Sequence, residues 1–159
     1  MLPTTPHPAA THPRSTPLAT TRQATTKWSG PLLDGSGQVT LESSGVGTFD
    51  VSWASRAEEA NGKTSPEELI AAAHSACFSM ALSSTLAKAD TPPTSLDVQA
   101  EVGFQPGTGI TGVHLTVTGS VDGISKEDFV AAAEDAKDNC PVSKALTGTT
   151  ITLDASLNG

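Results

Sequence analysis

Tyrosine is absent from this chain of 159 residues, aromatic side chains make up 4% of it, and only two cysteines and three arginines occur. Each scarcity narrows the possibilities. With so few rings, the core must be built mainly from Ala, Val, Leu and Ile. Two cysteines cannot make a disulfide-stapled scaffold. The net charge is −8, the isoelectric point is about 4.7, and there is no run of Lys or Arg. Nucleic acid and anionic membrane both require a basic face, so neither is an expected partner. No apolar stretch approaches the roughly 20 residues of a membrane span, and the N-terminus lacks the apolar core of a signal peptide. These absences make a cytoplasmic protein the expectation. In a reducing compartment, two cysteines read as thiols with a job.

What is present divides the chain in two. Residues 1–20, MLPTTPHPAATHPRSTPLAT, hold five Pro and five Thr without apolar periodicity. They read as a disordered extension, in which His7 and His12 are incidental. Residues 21–159 read as a single domain. There, alternation dominates: Phe49, Val51 and Trp53; Leu96, Val98, Ala100, Val102 and Phe104; Val113, Leu115 and Val117; Ile151, Leu153 and Ala155. Period 2 with one polar face predicts half-buried antiparallel strands. Residues 25–29 and 37–42 are weaker strand candidates, and QPGTGITG supplies a hairpin turn.

Two helices interrupt the strands. TSPEEL opens the first, with Ser65 as N-cap, Pro66 at the first helical position and Glu68 at capping-box spacing, and the pattern extends to about Lys88. ISKEDF opens the second at Ser125, which ends near Asn139; Pro141 stops it and can start a short helix over 141–146. The predicted order is β-β-β-α-β-β-α-β, an α+β fold.

Cys77 lies mid-helix among Ala71, Ala72, Ala73, Ala76 and Ala81, small residues that let another helix approach closely. It is either a buried small hydrophobe or a reactive thiol, and reactivity would need a cation or donor to hold the thiolate. Cys140 stands at the head of the short helix, where exposed N–H groups favour a thiolate. His74, three residues before Cys77, makes a metal site with Cys77 and Cys140 conceivable, although no CxxC or HExxH accompanies it. His114 falls on the outward face of its strand. Of the arginines, Arg56 alone lies in the connection before the first helix, as a solvated loop cation or as a thiolate's partner.

The segments TSPEELIAAAHSACFSMALS (64–83) and NCPVSKAL (139–146), supported by KWSG, GSGQVTLESSG and TITLD, resemble the OsmC/Ohr family of thiol-dependent organic hydroperoxide reductases, and its OsmC branch in particular. The resemblance implies antiparallel sheets packed around long central helices in an intertwined homodimer. It implies a peroxidatic Cys77, a resolving Cys140, a Glu67 after the helix-opening proline, and an Arg from the preceding loop. The motif would put that Arg at Ser52; Arg56, in a longer connection, takes the role here. No metal or bound cofactor is implied. The implied partners are an organic hydroperoxide and an external dithiol, such as a dihydrolipoyl group. A non-catalytic stress or ligand-binding protein on the same fold is the alternative.

On one straight helix, the ten residues from Glu67 to Cys77 span roughly 15 Å. A site containing both is therefore expected to draw Arg56 and Glu67 from a second subunit. Phe78, Met80, Leu69 and Ile70 are the expected apolar lining.

Overall fold

The computed structural model describes residues 19–158. The expected disordered extension falls almost wholly outside the described residues. The N-terminal unit is a three-stranded antiparallel sheet of β1 (Thr25–Ser29), β2 (Ser36–Thr40) and β3 (Thr48–Ser52), in that spatial order. Lys27 pairs with Gln38, which pairs in turn with Asp50 and donates its side-chain amide to that carboxylate.

Immediately after β3 comes a helix the alternation pattern did not suggest, α1 (Trp53–Ala57). Ser52 and Ser55 cap each other reciprocally: each hydroxyl accepts the other residue's backbone N–H. Two serines three apart form a capping box whatever the apolar phase of the flanking residues. This local chemistry takes Trp53 out of the strand to which its alternation assigned it.

The long helix α2 (Pro66–Lys88) begins at the expected proline, with the Ser65 hydroxyl accepting from the Glu68 N–H. The Glu68 carboxylate accepts the Thr64 hydroxyl, so the box is closed from one side only. Phe78, Leu82 and Leu86, four residues apart, put one stripe of α2 fully into the core. α2 also corrects an expectation. It is long and apolar enough by composition to cross a membrane, with a mean hydropathy of 1.4 over 18 residues. Its alanines raise that mean, yet here α2 packs on protein.

It packs on a second sheet, formed by β4 (Ser95–Gln105), β5 (Gly109–Ser120) and β6 (Ile151–Leu157). Val113, Leu115 and Val117 of β5 are buried at the centre, while the intervening His114, Thr116 and Thr118 face outward. His114 is bonded there to Thr152 and Asp154. β4 and β5 form the predicted hairpin, but β6 runs parallel to β5. The expectation of wholly antiparallel pairing is corrected by what lies between these strands: a crossover of α3 (Lys126–Asn139) and α4 (Pro141–Ala145). A helical crossover carries the chain back to the end of the sheet at which β5 began, so the next strand runs parallel to it. α3 covers α2 and the sheet with Phe129, Ala133 and Ala136, all fully buried. Phe129 sits so close to Gly119 that a Cβ there would lie 2.5 Å from its ring, so this packing requires glycine.

Candidate active site

Two side-chain clusters stand on α2, one near its start and one at its middle. At the start, Arg56 grips Glu67 with two guanidinium nitrogens: Nε lies 3.1 and 3.2 Å from the two carboxylate oxygens, and Nη2 lies 2.8 Å from Oε1. The Glu67 side chain is 7% exposed and that of Arg56 32%. A buried carboxylate of this kind requires a fixed cation. Below the guanidinium lies Phe104 at the end of β4, with Cζ 4.2 Å from the ring centroid, and Trp53 meets the same ring edge-on at 6.0 Å. The ring's negative face and the carboxylate together fix the plane of the guanidinium. The longer connection is what brings Arg56 to Glu67. Ser52 caps α1, and one turn later α1 delivers Arg56 to Glu67.

Arg56 also stands at the end of an apolar groove of about 370 Å³, lined by Trp28, Leu32, Val39, Val51, Trp53 and Leu69. Of the four residues expected as apolar lining, only Leu69 lies here. Phe78 is fully buried in the core and Met80 is 72% exposed, because successive turns of α2 face different layers. Trp28, on the N-terminal sheet, and Leu32, in the loop after β1, were not among the expected lining residues.

At mid-helix, Cys77 meets Cys140. Both thiols are free, Cys140 fully buried and Cys77 partly so. Burial pushes the Cys77 thiol above its ordinary value; the backbone N–H of Val142 pulls it down, and the neighbouring Cys140 thiol pushes it up. The amide from the first turn of α4 therefore serves Cys77. The sequence pointed to the same turn but assigned its effect to Cys140, which is the N-cap and makes no side-chain capping bond.

One turn away, the fully buried His74 bonds through Nε2 to Ser143 Oγ at 2.8 Å. Among the described residues, no group of three His, Cys, Asp or Glu is placed to hold a metal ion. Burial lowers the affinity of His74 for a proton. Because its folded pKa lies below the unfolded value of about 6.5, the unfolded chain binds the proton more readily as pH falls. The stability that neutral His74 contributes is complete above that value and is lost below it. The unfolding free energy from denaturant titrations should therefore fall between pH 7 and pH 5, by at most about 1.4 kcal/mol per pH unit from this group. His74→Gln should remove that component of the slope.

The two clusters do not meet within the chain. α2 is unbroken from Pro66 to Lys88, so ten residues, roughly 15 Å of helix, separate Glu67 from Cys77. One cluster is a thiol pair without a cation, and the other is an oriented cation without a thiol.

The chain is thus an α+β fold of two three-stranded sheets, the second packed on a long helix that carries a free thiol facing Cys140 and has an arginine anchored at its start. Residues 59–154 match the family model described as OsmC-like protein. Peroxiredoxin OsmC of Escherichia coli is 41% identical over 133 residues, which cover 82% of this chain and 92% of that protein. The chain belongs to the OsmC-like family. Organic hydroperoxide resistance protein OhrA of Bacillus subtilis is 34% identical over 95 residues, 58% of this chain and 67% of that one. The OsmC-like protein from Mycoplasma pneumoniae shares the fold with a TM-score of 0.67 at 12% identity, covering 89% of this chain and 100% of its own.

Proposed function

We propose that the protein is a thiol-dependent peroxidase that reduces organic hydroperoxides to alcohols. Its curated relatives are named as a peroxiredoxin and an organic hydroperoxide resistance protein, which supports the peroxide-related redox class. The observation that carries the mechanism is the juxtaposition of Cys77 with Cys140 beside the Val142 amide. The Cys77 thiolate attacks the terminal peroxide oxygen and becomes a sulfenic acid, while the alkoxide leaves and takes up a proton. The Cys140 thiol then displaces water from the sulfenic acid, forming a Cys77–Cys140 disulfide. An external dithiol, of the dihydrolipoyl kind, returns both thiols and leaves oxidised.

Burial raises Cys77, so the first step needs a cation. We assign this to Arg56 of a second copy, held in plane by Glu67 of that same copy, in a homodimer that packs α2 against the groove. The reading is supported by the apolar surface that one chain leaves uncovered: Trp28 is 42%, Leu33 72% and Met80 72% exposed. Buried, low-dielectric surroundings would strengthen the Arg56–thiolate interaction and stabilise the departing alkoxide. The groove beside Arg56 offers the alkyl group of a hydroperoxide apolar contact that hydrogen peroxide cannot use. A cytoplasmic setting, where thiols stay reduced, suits this cycle.

Stopped-flow mixing with cumene hydroperoxide should consume two thiols per peroxide, at least about tenfold faster than hydrogen peroxide does, given the apolar area available. The raised Cys77 also fits a second reading, an inert ligand-binding protein. Thiols that persist for minutes under excess cumene hydroperoxide would establish that reading and reject the peroxidase.

A further inference from the structure

His74 carries a desolvated imidazole in the core, and no step of the proposed cycle uses it. Its Nε2 is bonded to Ser143 Oγ at 2.8 Å, and its Nδ1 has no partner among the described residues. A buried N–H left without an acceptor costs more than an unused lone pair. The proton therefore sits on Nε2, which donates to the Ser143 oxygen, and Nδ1 keeps its lone pair.

The position of this bond is what gives it a role. His74 precedes Cys77 by three residues on α2, and Ser143 follows Cys140 by three on α4. Residues three apart share a helix face. The pairs His74–Ser143 and Cys77–Cys140 thus form two rungs between helices running in opposite directions. Val142, whose N–H faces the Cys77 sulfur, lies between the two rungs on α4. α4 is only five residues long and has no side-chain cap, so its own hydrogen bonds do little to fix where it sits. Ser143 is 6% exposed and His74 fully buried, so water does not compete for the bond.

We propose that His74 is a positioning residue for the dithiol: through Ser143 it anchors α4 so that the Val142 N–H and the Cys140 thiol stay on the Cys77 sulfur. The proposal rests on the peroxidase reading only for its kinetic consequence. The placement of the amide can be read from the thiol itself, without any peroxide.

The test uses the full chain with Cys140→Ala as background, so that thiolate absorbance near 240 nm reports Cys77 alone. Adding Ser143→Ala, which keeps the volume, or His74→Phe, which enlarges the ring, removes the bond and should lower the thiolate fraction at fixed pH about fivefold, the worth of one hydrogen bond. His74→Gln, which can bring an N–H to the place of Nε2, should stay within about twofold of the background. With Cys140 restored, Ser143→Ala should slow disulfide closure after a single peroxide pulse by a similar factor, measured as a longer-lived, dimedone-reactive sulfenic acid. Ser143→Ala is the deciding variant, since alanine suits a helix; His74→Phe serves if it does not fold. An unchanged titration in whichever of them folds overturns the proposal. A shifted titration in a protein that ignores cumene hydroperoxide upholds it while removing the peroxidase reading.

Discussion

Cys77→Ser is expected to abolish peroxide-driven oxidation of the protein, slowing it by at least about a thousandfold, because an alcohol near neutral pH supplies almost none of the anionic nucleophile that a thiol does. The exchange is nearly isosteric at a partly buried position, so melting should change little and the loss can be read as chemistry. Cys140→Ser should behave differently. It should react once with cumene hydroperoxide at close to the parent rate and then stop, holding a sulfenic acid that dimedone traps. Rapid oxidation in Cys77→Ser would place the nucleophile elsewhere, and multiple turnover in Cys140→Ser would remove Cys140 from the cycle.

The second large effect concerns the assembly. In the proposed dimer, each thiol pair is served by the Arg56–Glu67 pair of the other chain. One partner chain would carry Cys77→Ser. The other would carry Arg56→Met with Glu67→Gln, a pair that removes the cation without leaving the Glu67 carboxylate, 7% exposed, buried and uncompensated. Each homodimer should be nearly inactive, the second by about 10²–10³-fold, the cost of removing one preorganised electrostatic partner. A heterodimer purified through two different tags should recover about half the parental activity, since one of its two sites then contains only native groups. Had both clusters acted within one chain, every site in that heterodimer would lack something and it would stay inactive. Recovery near zero in a well-folded heterodimer therefore rejects the shared site.

The parts of this architecture legible in the sequence were those set by local chemistry. Ser65 with Pro66 marked the start of α2, Ser125 that of α3, and Pro141 that of α4, because capping and the missing proline N–H act over a few residues. Alternation marked β4 and β5 because each buries one face. Other features depended on distant partners. The direction of β6 follows from the helices that precede it and leaves its own alternation unchanged. Trp53 satisfies a strand pattern, but Ser52 and Ser55 commit it to α1.

Of the candidate site, Arg56, Glu67, Cys77 and Cys140 could be picked out by residue type and motif, and their division into two clusters by helix rise alone. Phe104 beneath Arg56 was visible only as an inward strand residue. The Val142 amide has no signature at all, since every residue but proline has one. The His74–Ser143 bond did leave a trace: each residue stands three from a cysteine, on the side that faces the other.

The parallel return of β6 places Cys140 in the connection that follows the hairpin of β4 and β5. A bond from Cys77 to Cys140 would close a ring of about 60 residues containing that hairpin and all of α3, and on chain-entropy grounds such a closure disfavours the unfolded state by about 4 kcal/mol. Oxidation by substrate would then do more than store an oxidising equivalent. It would turn the central part of an open chain into a loop that heat can loosen but not fully extend, so the form awaiting its reductant would be the more durable of the two.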